Sequence, residues 1–276
     1  MRIGLFLLTN AGVVMVLSLV LNVLGIGQGG DMLGLVLITS VFGMGGAFIS
    51  LMMSKSMALR SVRGAVISEP KNDVERWLVQ MVHKQAKEAG IGVPDVAIFE
   101  SASPNAFATG ANRNSALVAV STGLLKHMKA NEVEAVMAHE VSHVANGDMV
   151  TLTLLQGVMN TFVMVFAHLL AAALDKGRRG MGYFIGYYIA QSVLGFLAAM
   201  VVMWFSRYRE FRADSGGGTL AGVGNMISAL ERLKISPDAE SLPDSVDAFG
   251  ISGVIGQLLS SHPPLDKRIE RLRAQL

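Results

Sequence analysis

His139-Glu140-Val141-Ser142-His143 is the stretch that decides the interpretation of this chain. Residues four positions apart lie on one face of an α-helix, so His139 and His143 can direct imidazole nitrogens at the same point. Glu140 lies beside them, where its carboxylate can accept a proton from an attacking water. This H-E-x-x-H pattern predicts a zinc centre with a glutamate as general base. The alternative is a surface helix on which these residues occur by chance.

The residues before the motif favour the helix that such a centre requires. Asn131 is predicted to be the N-cap, and Glu134, three residues later, to complete a capping box. Apolar residues recur at helical spacing at Val133, Val136 and Met137.

A third metal ligand is needed, because a catalytic zinc has three protein ligands and one open position. The chain has no cysteine, so the third ligand must be His, Asp or Glu. Glu210 is the best candidate, and Asp214 lies four residues later, where it can accept the outer N–H of a ligand histidine. The alternative is a solvated charge cluster beside a membrane segment, since arginines are adjacent at Arg207, Arg209 and Arg212.

The composition indicates a membrane protein. The chain is 51% hydrophobic and 16% charged, with a mean hydropathy of +0.47. Each of four uncharged stretches reaches the roughly 20 residues that cross a bilayer. They lie at 4–25, 32–53, 149–174 and 183–205. The first is interpreted as a retained anchor rather than a cleaved signal peptide, because its apolar run is too long and no cleavage-site pattern follows.

Basic residues predict the orientation. Arg2 precedes the first stretch and Lys55, Arg60 and Arg63 follow the second, so both outer ends are expected in the cytoplasm. The basic loop at 175–182 disagrees with this rule. A metal shared by His143 and Glu210 nevertheless requires an even number of crossings between them.

Four segments follow from these considerations. They are an N-terminal transmembrane hairpin at 1–54, a cytoplasmic catalytic part with the histidine motif at 55–148, a second transmembrane or re-entrant hairpin at 149–205, and a cytoplasmic catalytic part with the third ligand at 206–276.

The soluble segments carry weaker signals. A helix is predicted at 73–89, with strands at 96–99 and 117–120. The segment 104–110 between the strands is either an edge strand that pairs with a peptide or an ordinary connection. Further on, a helix is predicted at 220–233, a polar loop at 236–250 and an amphipathic helix after Pro264.

Two other histidines are of interest. His262 can stabilise the oxyanion of a tetrahedral intermediate, or can simply be a polar residue before a helix. His168 lies toward the far end of a predicted span, where a loop-proximal or packing role is favoured over a functional one. With a net charge of +2, no phosphate-binding glycine loop and no basic–aromatic stripe, nucleic acid is not an expected partner.

With these residues assembled, the chain resembles the HtpX-like family of bacterial integral membrane zinc metalloproteases, which is related to the CAAX prenyl proteases. The resemblance covers nearly the whole chain. It includes Asn105-Ala106-Phe107-Ala108-Thr109-Gly110, the histidine motif, Asn146-Gly147-Asp148, Arg209 to Asp214, and His262-Pro263-Pro264-Leu265 with Arg268.

The resemblance implies a mostly α membrane protein, with four hydrophobic helices and a cytoplasmic, zincin-like (gluzincin) α+β catalytic domain that contains a small sheet. It implies one Zn²⁺ per chain, with Glu210 as the third ligand beside His139 and His143, and His262 lining the site. The substrate-binding edge would be formed by Asn105, Ala106 and Phe107.

The implied activity is that of a zinc endopeptidase of the bacterial inner membrane, multi-pass, with its catalytic domain in the cytoplasm. Its expected substrates are unfolded or misfolded membrane proteins in stress-linked quality control, with functional overlap with other membrane proteases. The alternatives are a zinc-binding membrane adaptor that does not cleave and a processing peptidase for one dedicated peptide. Retention of Glu140 favours an enzyme.

Two features depart from the family pattern. The loop at 175–182 is short, which makes a tight or re-entrant hairpin easier. The run Ser215-Gly216-Gly217-Gly218 is expected to end the ligand helix or to loosen its downstream half, since glycine costs about 1 kcal/mol against alanine in a helix.

Overall fold

A computed structural model describes residues 31–175, 180–235 and 260–276, together with residues 12, 14 and 15. The chain forms two compact units. One comprises Met1–Ser50 and Thr151–Val202, and the other comprises Leu51–Val150 and Met203–Leu276. The predicted span at 4–25 lies outside the described residues except for those three positions, and the predicted loop at 236–250 lies outside them entirely.

The second unit contains a small mixed sheet. Its strands are β1 (Ala65–Val66), β2 (Asp95–Phe99), β3 (Ala106–Thr109) and β4 (Leu117–Ser121), in the order β1-β2-β4-β3. The central strands β2 and β4 are parallel, while β1 and β3 are antiparallel to their neighbours. All five residues of β4 are buried, as expected for an apolar central strand. The predicted strands at 96–99 and 117–120 are confirmed.

Helices of the second unit pack on this sheet. They are α2 (Asp73–Glu88), α3 (Thr122–His127), α4 (Ala130–Asn146), α7 (Val223–Lys234) and α8 (Leu265–Arg273). The apolar stripes of these helices meet β2 and β4 in one core. Its fully buried members include Leu78, Val120, Met137, Leu230 and Leu272. The predicted helix at 73–89 is confirmed, with Asn72 as its N-cap and Gly90 at a φ of +66° just after it.

The start of α4 corrects the predicted cap. Lys129, not Asn131, is the N-cap residue, and Glu132 Oε2 accepts the Lys129 backbone N–H at 2.8 Å. Glu132 is only 2% exposed and also accepts the Ser228 hydroxyl of α7 at 3.0 Å. Tertiary partners therefore select Glu132 over Glu134. Asn131 instead donates to Asn225 Oδ1 at 3.0 Å.

The glycine run does not end its helix, so the predicted helix end was wrong, while a loosened downstream half stays a prediction. Helix α6 extends over Met181–Ala221 and breaks at Gly222, which has a φ of +92°. A Cβ at Gly216 would lie 2.6 Å from Ser142 Oγ. The glycines stay helical because they let α6 approach α4 closely, and the packing compensates for their low propensity.

The first unit contains long apolar helices. Among the described residues, three helices are long and apolar enough to cross a membrane. They are α1 (Asp31–Ser61), over Leu33–Ser61, then α5 (Asp148–Leu174) and α6. A Cβ at Gly43 of α1 would lie 2.6 Å from Thr161 Oγ1 of α5, so these helices pack closely. His168 hydrogen-bonds to the Tyr183 hydroxyl at 2.5 Å.

Candidate metal centre

Helix α4 presents both motif histidines to one point. His139 Nε2 and His143 Nε2 lie 3.1 Å apart, as the i, i+4 spacing requires. His139 is buried and His143 is partly buried. Glu140, on the same turn, is also partly buried, and its charge acts on both His143 and Arg268.

Helix α6 brings Glu210 to the same point. Glu210 Oε1 lies 3.1 Å from His143 Nε2, and Glu210 Oε2 lies 3.5 Å from His139 Nε2. One ligand atom from each of the three residues lies within 4.8 Å of the others. The structure therefore places Glu210 in a buried cluster and not among solvated charges.

The donor set fits a zinc ion. Ligand atoms bound to tetrahedral zinc at about 2.0–2.1 Å lie roughly 3.3 Å from one another. The two Nε2 atoms are 3.1 Å apart, and each lies 3.1 or 3.5 Å from a different oxygen of Glu210, which is close to that value. Two imidazoles and a carboxylate are also ligands that zinc accepts in hydrolytic sites.

The electrostatics of the cluster favour a carboxylate. Burial by itself raises the pKa of Glu210, but hydrogen bonds from three imidazoles have the larger effect and hold that pKa well below its ordinary value. Burial lowers the pKa of His139 and His143, while the neighbouring carboxylates raise it above the ordinary value. The raised pKa values mean that the histidines share protons with the neighbouring carboxylates. Because zinc binds neutral imidazole, a bound zinc ion would displace these protons.

Asp214 lies behind His139, one helical turn after Glu210. Its Oδ1 is 3.0 Å from His139 Nδ1. Arg268 of α8 holds the same carboxylate in a bidentate pair, with Nε donating at 2.8 Å and Nη2 at 2.6 Å. Burial raises the pKa of Asp214, but Arg268 and His139 lower it by more. The structure thus brings Asp214 to the outer nitrogen of a candidate ligand.

His262 reaches the cluster from the segment before α8. Its Nδ1 lies 2.7 Å from Glu210 Oε2, and its side chain is 61% exposed. Arg207 of α6 donates from Nη1 to the Ser260 carbonyl at 2.7 Å, which ties this segment to the ligand helix. His262 is therefore the solvent-facing group of the cluster.

Asp148 was given no role from the sequence, although its run Asn146-Gly147-Asp148 belongs to the family resemblance. Its Oδ2 lies 2.7 Å from His143 Nδ1, and it forms an ion pair with Arg209. The available signal was the run Asn146-Gly147-Asp148: a glycine ends the motif helix and an acidic residue follows at once. Gly147 has a φ of +73°, a conformation that glycine adopts without strain.

The predicted substrate edge, β3, is one of the two edge strands of the described sheet. Asn105 is exposed, and its backbone exchanges hydrogen bonds with Ser121 at the end of β4. Ala106 faces the core that includes α4, whereas Phe107 packs on Phe99 on the opposite face, with ring centroids 5.6 Å apart. The Phe107 side chain thus packs within the protein.

A pair of histidines on one helix, a glutamate on a second and a carboxylate beside one of the histidines form the donor set expected of a metallopeptidase centre. Residues 72–276 match the profile of peptidase family M48. The chain belongs to this family, and the resemblance predicted from its motifs is confirmed.

Curated relatives agree with this assignment. The chain is 52% identical to "Protease HtpX" of Xanthomonas campestris pv. campestris (strain B100) over 284 residues, which covers 99% of this chain and 97% of that protein. "Protease HtpX" of Stenotrophomonas maltophilia (strain R551-3) is also 52% identical, over 99% of this chain and 98% of that protein. The chain is therefore a membrane metallopeptidase.

A solved structure supports the fold. The crystal structure of S. mikatae Ste24p superimposes with a TM-score of 0.64 at 16% identity, covering 94% of this chain and 66% of that one. At this identity the likeness concerns the fold alone. It agrees with the predicted mostly helical architecture that carries a small sheet.

Proposed function

We propose that this chain is a zinc-dependent endopeptidase of the bacterial inner membrane that cleaves misfolded or damaged membrane proteins in stress-linked quality control. The observation that carries the proposal is the convergence of His139, His143 and Glu210 at separations suited to zinc. Glu140 on the same turn of α4 supplies the group that distinguishes a catalytic site from a purely structural one.

Each side chain of the cluster has a proposed role. A zinc ion, one per chain, held by His139, His143 and Glu210 would supply Lewis-acid polarisation of a peptide carbonyl and of water. Glu140 accepts the proton of the attacking water and returns it to the leaving amine. His262 donates a hydrogen bond to the carbonyl oxygen as negative charge develops there.

Asp214 is proposed to orient His139. A carboxylate at the outer nitrogen of a ligand histidine fixes its tautomer and strengthens it as a ligand. The distance of 3.0 Å to His139 Nδ1 supports this role, and the bidentate Arg268 keeps the carboxylate in place.

An extended substrate chain is proposed to lie along β3. Asn105 directly precedes this strand, and Ala106 and Phe107 begin it; the strand lies at one edge of the order β1-β2-β4-β3. Addition of a peptide to a sheet edge uses backbone hydrogen bonds and demands little of the substrate side chains. This suits an enzyme whose substrates share an unfolded state and no single sequence.

The proposed location rests on the apolar helices and the basic residues around them. Segments 1–54 and 149–205 are proposed to enter the membrane, with 55–148 and 206–276 in the cytoplasm. Lys55, Arg60 and Arg63 after the second apolar stretch support that orientation. Since unfolded segments are substrates for many proteases, we also propose functional overlap with other membrane proteases.

The test is cleavage of an unfolded, carboxymethylated protein and of a misfolded membrane protein by the full chain in detergent with zinc. Glu140→Gln is run beside the parent, because it removes the general base and keeps the side-chain shape. We expect cleavage by the parent only, with zinc bound to both proteins.

Equal cleavage by parent and Glu140→Gln would identify a contaminating protease and contradict the assigned base. A zinc-loaded parent that cleaves neither substrate would contradict broad proteolysis and favour an adaptor or a peptidase with one dedicated substrate.

A further inference from the structure

We propose that Asp148 and Arg209 are the positioning residues of His143, forming a second carboxylate–arginine relay that is separate from the one behind His139. The inference deepens the proposed function and rests on it, because it assigns a support to one of the three proposed metal ligands. It names residues that the zinc motif does not include.

The backbone places Asp148 against His143. Gly147, with a φ of +73°, ends α4, and its N–H bonds back to the carbonyls of His143 and Val144. Asp148 is then the first residue of α5 and turns its carboxylate towards the ring that it follows by five positions. Asp148 is 3% exposed, and its Oδ2 lies 2.7 Å from His143 Nδ1.

Arg209 holds that carboxylate from the ligand helix. It forms an ion pair with Asp148, and its Nη2 also donates to the Asn146 carbonyl at 3.2 Å. Arg209 is 8% exposed, so its charge is compensated by Asp148 and not by water. Because Arg209 directly precedes Glu210, one turn of α6 supplies both a ligand carboxylate and the anchor for His143.

The two relays have the same chemistry. His139 Nδ1 faces Asp214, which Arg268 holds, and His143 Nδ1 faces Asp148, which Arg209 holds. In each case the outer nitrogen lies within 3.0 Å of a buried carboxylate, and for His143 this contact is a hydrogen bond of 2.7 Å. We expect both relays to help keep the two Nε2 atoms at their separation of 3.1 Å.

Loss of such a carboxylate has a characteristic effect. Removing the partner of a metal-ligating histidine costs about 10- to 100-fold in metal affinity or activity. We expect Asp148→Asn, which keeps the shape of the side chain, to weaken zinc binding by about that factor. Arg209→Gln should weaken it as well, because the carboxylate loses its anchor.

The experiment measures zinc affinity of the detergent-purified full chain by competition with a chromophoric chelator, and the absorption spectrum of the Co²⁺-loaded protein. The variants are Asp148→Asn, Arg209→Gln and the double variant. The matched control is Arg212→Gln, which removes an exposed arginine three residues further along α6. A purely structural change lowers the thermal midpoint without altering the cobalt spectrum.

The double variant protects the test against misfolding. Arg209→Gln alone leaves a buried, unpaired carboxylate, whereas the double variant removes both charges. If the two residues act as a unit, their effects do not add. The zinc affinity of the double variant should then be no lower than that of the single variant with the lower affinity. We expect altered cobalt spectra in all three variants and an unchanged spectrum in Arg212→Gln.

Zinc affinity and a cobalt spectrum in Asp148→Asn that match the parent would overturn the relay and leave the proposed function standing. A parent that binds no zinc, or whose zinc affinity is unchanged in His139→Ala, would overturn both.

Discussion

Gly217 of α6 lies directly against His139 of α4: a Cβ at Gly217 would stand 3.1 Å from the His139 backbone nitrogen and 3.2 Å from its Cα. Backbone atoms cannot rotate away as the end of a side chain can. The absence of a side chain at Gly217 therefore helps to set the separation between the motif helix and the helix that carries Glu210.

Gly217→Ala is expected to push α4 and α6 apart. Overpacking of a core typically costs about 1–3 kcal/mol. Because the displaced backbone is that of His139, we also expect weaker zinc binding. The measurement is the thermal midpoint of the full chain in detergent, together with its zinc affinity.

Gly224→Ala is the matched control for that substitution. Gly224 lies in α7, and a Cβ there would meet no atom within 4 Å. Alanine at an unobstructed helical position gains about 1 kcal/mol over glycine, so this variant should be slightly stabilised. If Gly217→Ala were stabilised to the same extent, the close approach would have no energetic consequence.

Arg268→Gln is expected to destabilise the second unit. The Arg268 side chain is buried and forms a bidentate pair with Asp214, so its loss leaves a buried carboxylate without its charge partner. Breaking a buried pair from one side costs about 3–5 kcal/mol. Chemical denaturation monitored by Trp fluorescence would measure the change.

Arg273→Gln on the same helix provides the comparison for Arg268. Arg273 pairs with Glu231 at 2.7 Å, but both side chains are more than half exposed. Exposed pairs contribute about 0–1 kcal/mol. Similar losses in the two variants would show that α8 docks through its apolar face and not through Arg268.

Added zinc is expected to raise the thermal midpoint of the metal-free parent. A ligand that binds only the folded state stabilises it by about 4 kcal/mol at 1,000 times its dissociation constant. Glu210→Ala should lose most of this response, because one ligand of the cluster is missing. A midpoint that rises equally in parent and variant would place the zinc elsewhere.

Glu132 is expected to make stability depend on acid pH. Burial raises the pKa of Glu132, but the Lys129 N–H, Ser228 and Arg232 lower it below the ordinary value of 4.5. A depressed pKa means that the charged form stabilises the fold. This contribution is complete above about pH 4.5, the unfolded value, and is lost as the pH falls through the folded value.

Comparison of the parent with Glu132→Gln tests this sign. The difference in unfolding free energy between them should be largest near neutral pH and should shrink as the pH falls below 4.5. Glu134→Gln, two residues away, is the control. A parent–variant difference that grows on acidification would contradict the assignment.

The helices and strands that the sequence predicted well are those with strong local signals. The helix at Asp73–Glu88 has a polar cap and an apolar stripe, and the strands around Val96 and Val118 are short apolar runs. The start of α4 was predicted wrongly because two glutamates at similar spacing compete there. Ser228 and Arg232, which lie about 96–100 positions later, favour Glu132.

The glycine run is a second place where tertiary contacts overrule the local signal, here by keeping a helix that the local signal would end. Helix propensity alone predicts that Ser215 to Gly218 ends a helix. Contacts with Ser142 and His139 on another helix reverse that outcome, because only glycine permits the approach.

By itself, the sequence determined the motif helix, two candidate ligands and the adjacent base, since these follow from spacing on one helix. It also determined that the chain is a membrane protein, because apolar run length is a local property. The sequence offered Glu210 as the best third ligand, but only the tertiary structure placed it beside the histidines and placed Asp148 and Arg268 behind the cluster. Arg268 and Asp214 are 54 positions apart, and Arg209 and Asn146 are 63. No local periodicity encodes such pairs, because burial and charge compensation across the folded core bring them together.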